Sequence, residues 1–196
     1  MKRTHSLKRI KDNLETNKAY LVLTEDSHSS KLYVDGLIRY LGHNIRRFEL
    51  RCPGSSPKNI REAAQKELKN FDEIFCIFDR DSHDSKGGHY TALMNWARTQ
   101  DNVLAINSVP CFEYWIYLHF KYSDRPLSTS DATIKLLSKE LKGYEKGLLN
   151  FSSFKDKLDT AVAHSKKSIA RSENDGSDDP TTKMGEFVEH LKGLSK

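Results

Sequence analysis

An α/β fold, with a mostly parallel sheet of about four strands flanked by helices and a helical C-terminal extension, is what this sequence predicts. Three observations predict it. The continuous apolar runs "AYLVLT" (Ala19 to Thr24) and "EIFCIF" (Glu73 to Phe78) have the composition of strands covered on both faces. Between and after them the apolar period becomes helical. Beyond Pro110 the spacing is helical, with no convincing strand.

The elements follow in chain order. After the first strand, Leu32, Tyr33, Leu37 and Tyr40 or Leu41 recur at helical spacing from Ser30 to Leu41, and Gly42 is a helix stop. "IRRFEL" (Ile45 to Leu50) alternates apolar and polar residues as an edge strand does, and "CPGSSP" (Cys52 to Pro57) is a loop. A helix at about Lys58 to Lys69 leads into "EIFCIF". The loop "RDSHDSKGG" then precedes a helix near His89 to Thr99 and a fourth strand, "VLAINSV" (Val103 to Val109). This βαβαβαβ order predicts a parallel sheet with helices on both faces.

After Pro110, "CFEYWIYLHF" is aromatic throughout. "SENDGSDDPTT" (Ser172 to Thr182) reads as a loop, with Thr181 or Thr182 placed to cap a last helix carrying Phe187, Val188, Leu191 and Leu194. The expected organisation is an α/β core over residues 1–110 and a helical region over 111–196 packed on it as one unit.

A length of 196 residues allows one sizeable core. Charged residues make up 30% and apolar ones 37%, and no apolar run approaches the roughly 18 to 20 residues of a membrane span. Met1 to Asn13 is basic without the apolar region of a secretory signal, so a cytoplasmic location is expected. Cys52, Cys76 and Cys111 have unrelated spacings and predict neither a disulfide framework nor a CxxC metal site. The net charge of +5 and pI near 9.0 suit a polyanionic partner, although basic termini also serve solubility.

Both apolar strands end in acid: the first in Glu25 and Asp26, the other in Asp79 and Asp81. In an open parallel sheet, ligands bind outside the carboxyl ends of the strands. A 2-1-3-4 strand order makes the first and third strands neighbours, so Glu25 and Asp79 would meet although 79 − 25 = 54 residues separate them. Carboxylates that close raise one another's pKa unless a positive charge neutralises them, and oxygen ligands select a hard cation such as Mg²⁺ or Mn²⁺. A DxD after a strand is by itself often only a turn or helix cap. The paired Glu25 is what points to a metal.

An apolar strand ending in Glu, a βαβα unit and an apolar strand ending in DxD together resemble the Toprim signature, a Rossmannoid arrangement. "VPCFEYWIYLHF" (Val109 to Phe120) resembles the "NPCFE-W-LLHF" segment of RloB-like proteins, and "DDPTTKMGEFVEHL" (Asp178 to Leu191) resembles their closing "NPST" loop and helix. The resemblance runs from about residue 18 to residue 194. It implies a divalent-metal-dependent Toprim nuclease of bacterial antiphage or abortive-infection defence, related to the overcoming-lysogenization-defect nucleases. It also implies a partner ATPase of the ABC or AAA-like class and a nucleic acid substrate, DNA or an RNA such as tRNA. A homodimer is left open. Asp79 and Asp81 would hold Mg²⁺, Glu25 would ligate a metal or act as general acid/base, and Glu113 matches the acid of the "CFE" segment. One departure follows the first strand, where "EDSHSSK" replaces the family's "EGxxTE": Asp26 stands where Gly is expected, and Ser29 and Ser30 stand for Thr and Glu. Asp26 or Asp84 is the candidate to replace the missing carboxylate.

Around these acids, Arg80, Lys86, Lys142, Lys166, Lys167 and Arg171 are candidate phosphate contacts. His28, His83 and His89 are candidates for proton transfer or phosphate contact, while His119 fits a packed interior. Trp96, Trp115 and Tyr117 offer stacking surface or, as such stripes more often do, core. Two other classes compete. One is a non-catalytic subunit that docks an ATPase; the other is a haloacid-dehalogenase-type phosphatase, disfavoured because its nucleophilic Asp lies on the first strand, which here offers Glu25.

Overall fold

Tyr20–Thr24 offers no charged side chain, and every residue of it is buried, so it forms an interior strand, β1. A computed structural model describes residues 18–80, 88–144 and 151–195. In chain order β1 is followed by α1 (Ser30–Tyr40), β2 (Phe48–Arg51), α2 (Pro57–Glu67), β3 (Glu73–Asp79), α3 (His89–Ala97) and β4 (Val103–Val109). Then come α4 (Phe112–Leu118), α5 (Ser130–Glu140), α6 (Leu158–Asp175), β5 (Thr181–Thr182) and α7 (Met184–Gly193). The sheet order is β2-β1-β3-β4-β5, parallel except for β5, so the expected 2-1-3-4 core is present.

Three local expectations are corrected. The first half of "IRRFEL" is a 3₁₀ turn, Ile45–Arg47, because the Asn44 side chain accepts the Arg46 N–H at 3.1 Å and starts a turn there. The C-terminal region does contribute a strand: β5 pairs antiparallel with Ser108 and Val109. Two residues carry no readable period, which is why the strand is invisible in sequence. Thr182 also meets its expected capping role in part, accepting the Met184 N–H at 3.2 Å. Finally, α6 runs on to Asp175, so the loop read from Ser172 starts at Gly176, a left-handed residue (φ 73°) that closes the helix.

Alternation along the strands splits the core between the two sheet faces. Tyr20, Val22, Phe75, Ile77 and Ile106 pack with α1, α4, α6 and α7, while Leu21, Leu23, Ile74, Cys76 and Phe78 pack with α2 and α3. Every residue of α4 is buried, so Trp115 and Tyr117 are core and not stacking surface. Trp96 packs on the α2/α3 side. Among the described residues no helix is long and apolar enough to cross a membrane. Met1 to Asn13, Asp81, His83, Asp84 and Lys86 lie outside the described residues.

Candidate functional site

The parallel register of β1 and β3 aligns Thr24 with Ile77, so both strands open at the same edge of the sheet. There the Asp79 N–H donates to Glu25 Oε2 at 3.1 Å. Two further bonds hold this edge together: Cys52 Sγ donates to the Glu25 carbonyl at 3.3 Å, and the Arg80 N–H donates to the Ser108 carbonyl at 2.9 Å. The four expected carboxylates that are described, Glu25, Asp26, Asp79 and Glu113, line one cavity of about 400 Å³ together with His28 and Ser29. A second cavity, about 390 Å³, runs along β4 between α3 and α7. Glu186 is its only acid, so the chemistry points to the first.

Glu113 enters from the first turn of α4, where an acid is favoured by the helix dipole. It is 2% exposed, so it is not a solvated helix-start residue. The Tyr144 hydroxyl donates to Glu113 Oε1 at 3.0 Å. Burial, reinforced by the charge of Glu113, pushes that hydroxyl well above its ordinary pKa, which keeps it a neutral donor. Sequence reasoning missed Tyr144: it lies 31 residues from Glu113, beyond α5, and no motif marks it. Burial, followed by the charges of Glu113 and Asp79, holds the Cys111 thiol protonated as well.

Asp26 has a local duty that the sequence did not reveal. Its carboxylate accepts the N–H groups of His28 (2.9 Å), Ser29 and Ser30, and the Ser30 hydroxyl at 2.7 Å. These amides open α1 and have no helical partner of their own. The departure at "EDSHSSK" is therefore internally matched, with Asp26 and Ser30 acting as a pair.

The basic candidates divide. Arg80 forms an ion pair with Asp178 and lies over the Tyr90 ring, 5.9 Å from its centre. Lys166 pairs with Glu189 at 3.2 Å, Lys167 sits over Tyr122, and Arg171 holds Asp175 at 3.2 Å and the Pro180 carbonyl at 2.9 Å. Lys142 is exposed just beyond α5. His28 is exposed at the cavity and His89 at the first turn of α3. His119 is buried, with Trp115 O 3.0 Å from Nδ1 and the Tyr33 hydroxyl 2.9 Å from Nε2. The carbonyl can only accept, so Nδ1 carries the proton and Nε2 accepts from Tyr33. Burial brings the His119 pKa down to about 4.

The donor set Glu25, Asp79 and Glu113 is oxygen only, which fits a hard divalent cation. Among the described residues, no three His, Cys, Asp or Glu side chains form a group that could hold a metal ion. Asp81, the other half of the DxD, lies outside those residues, so the described edge carries part of the expected ligand set.

Compared with known proteins, residues 20–191 match the family model described as RloB-like protein. No curated protein and no solved structure matches the chain significantly.

Proposed function

The chain belongs to the RloB-like family, and on that premise we propose that it is a divalent-metal-dependent nuclease of the Toprim type. The observation that carries this reading is the meeting of Glu25 and Asp79 at adjacent strand tips, in a cavity shared with Glu113. Glu25 and Asp79, with Asp81, would hold Mg²⁺ or Mn²⁺, which supplies an activated water and charge stabilisation for a phosphoryl oxygen.

The remaining work belongs to the chain. Glu113, oriented by the Tyr144 hydroxyl, faces the cavity as a candidate acid/base. Arg80 follows Asp79 directly, so exchanging its exposed partner Asp178 for a phosphate keeps a cation at the reacting group. His28 stands at the cavity to exchange protons with solvent.

The substrate is a phosphodiester of RNA, such as tRNA, or of DNA. The resemblance of the Val109 to Phe120 and Asp178 to Leu191 segments supports a role as effector in bacterial antiphage defence under a partner ATPase of the ABC or AAA-like class. The second reading is a non-catalytic subunit that docks such an ATPase, in which the acidic edge serves only as a scaffold. A Mn²⁺ titration by calorimetry on wild type and Asp79→Ala, followed by incubation of the loaded protein with total tRNA and plasmid DNA, separates the two. Metal binding lost in the variant with cleavage by wild type establishes the nuclease. No binding by either protein selects the docking subunit.

A further inference from the structure

α6 carries its cations on two faces. At 3.6 residues per turn, Lys157, just ahead of the helix, and His164, Lys167 and Arg171 fall within an arc of about 80°, and Lys166 lies on the opposite side. The contacts agree: Lys166 turns to Glu189 on α7, whereas the arc faces the chain that follows α4. There the Lys157 ammonium lies 4.1 Å from the centre of the Phe120 ring, and the Lys167 ammonium 4.1 Å from that of Tyr122. The His164 ring is 5.9 Å from Tyr122, and its Nδ1 is held by the Leu118 carbonyl at 2.7 Å, which leaves Nε2 to the outside. Both aromatic rings are half-buried and both lysines exposed. Among the described residues neither lysine forms an ion pair with a carboxylate.

From Lys157 to Arg171 the stripe runs 171 − 157 = 14 residue steps, about 21 Å along the helix axis. Its Arg171 end adjoins the acidic edge. Arg171 Nη2 donates to the Pro180 carbonyl, the Thr181 hydroxyl donates to the Asp178 carbonyl at 2.8 Å, and Asp178 pairs with Arg80, the residue after Asp79.

We propose that this stripe binds single-stranded nucleic acid and leads it toward the acidic cavity; the second clause rests on the nuclease reading, the first does not. An ammonium held over a ring keeps its charge without a carboxylate, so it can pass to a phosphate while the ring face takes a base. A duplex presents no unstacked bases to half-buried rings, which selects the single strand.

The test is fluorescence anisotropy of the full chain with labelled oligouridylate and oligothymidylate, in chelator so that neither metal nor cleavage intervenes. Lys157→Glu combined with Lys167→Glu is expected to weaken binding about tenfold or more and to lower the salt slope by about 1.4, from two phosphate contacts on a single strand. Tyr122→Ala should weaken it as well, Tyr122→Phe should not, and Lys166→Glu on the opposite face should leave it unchanged. Equal loss from Lys166→Glu, indifference to the double variant, or preference for duplex of the same sequence overturns the proposal. Single-strand binding that follows this pattern without any cleavage in Mn²⁺ overturns the nuclease reading and leaves the stripe standing. Wild-type cleavage by a double variant that no longer binds overturns the path to the cavity.

Discussion

Glu25 Oε2 accepts the backbone N–H of Asp79 at 3.1 Å, so the tips of β1 and β3 are tied by the same carboxylate that faces the acidic cavity. Glu25 thus has both a structural and a chemical role, and two substitutions separate them. Glu25→Gln keeps an acceptor and is expected to retain the fold's stability while losing affinity for Mn²⁺. Glu25→Ala should in addition cost about 1–2 kcal/mol, the order of a half-buried hydrogen bond to a charged group. Denaturant unfolding and calorimetry on the two variants measure the two losses.

Asp79→Asn should behave differently from a core substitution. Removing one of several carboxylates at a shared cavity relieves like-charge repulsion, so stability in chelator should be unchanged or slightly higher. The rise in melting temperature that Mn²⁺ gives the wild type should disappear. A variant that unfolds without metal would make Asp79 a structural aspartate.

Tyr144→Phe removes the donor to a nearly fully buried carboxylate. It is expected to destabilise the chain by about 1–3 kcal/mol. If Glu113 acts on the reacting phosphate, turnover should fall more than substrate affinity. Paired kinetics and unfolding curves read both effects.

His119 is buried neutral, with its pKa brought from the ordinary 6.5 of a free imidazole down to about 4 by desolvation. The unfolded chain therefore binds the extra proton first as pH falls. Its contribution to stability is full above pH 6.5 and is lost as pH falls from there toward 4, a total of about 3 kcal/mol. Unfolding free energies measured across that window should show this slope in wild type and a shallower one in His119→Gln.

Gly185 marks a close approach of α6 and α7: a Cβ there would lie 2.6 Å from Ser165 Oγ and 2.7 Å from its Cβ. Gly185→Ala should destabilise by about 1–3 kcal/mol through overpacking. Because α7 follows β5 directly, the same variant should loosen amide-exchange protection at Thr181 and Thr182.

The sequence by itself determined the alternation of strands and helices, the burial of β1 and β3, the aromatic core helix and the delivery of Glu25 and Asp79 to one sheet edge. Continuous apolar runs and helical periods are local and survive in the one-dimensional pattern, as does an acid placed at a strand end. The sequence also carried the resemblance to RloB-like proteins, and the family model agrees. Only the tertiary structure decided that Tyr144 serves Glu113, that Asp26 is taken up by the start of α1 and that Lys166 and Lys167, adjacent in sequence, face opposite ways. It also decided that Thr181–Thr182 completes the sheet. Tyr144 and β5 depend on partners far along the chain, the two lysines on a rotation about a helix axis, and Asp26 on the side-chain geometry of a turn that its neighbours' types do not specify; a two-residue strand has no period of its own to read.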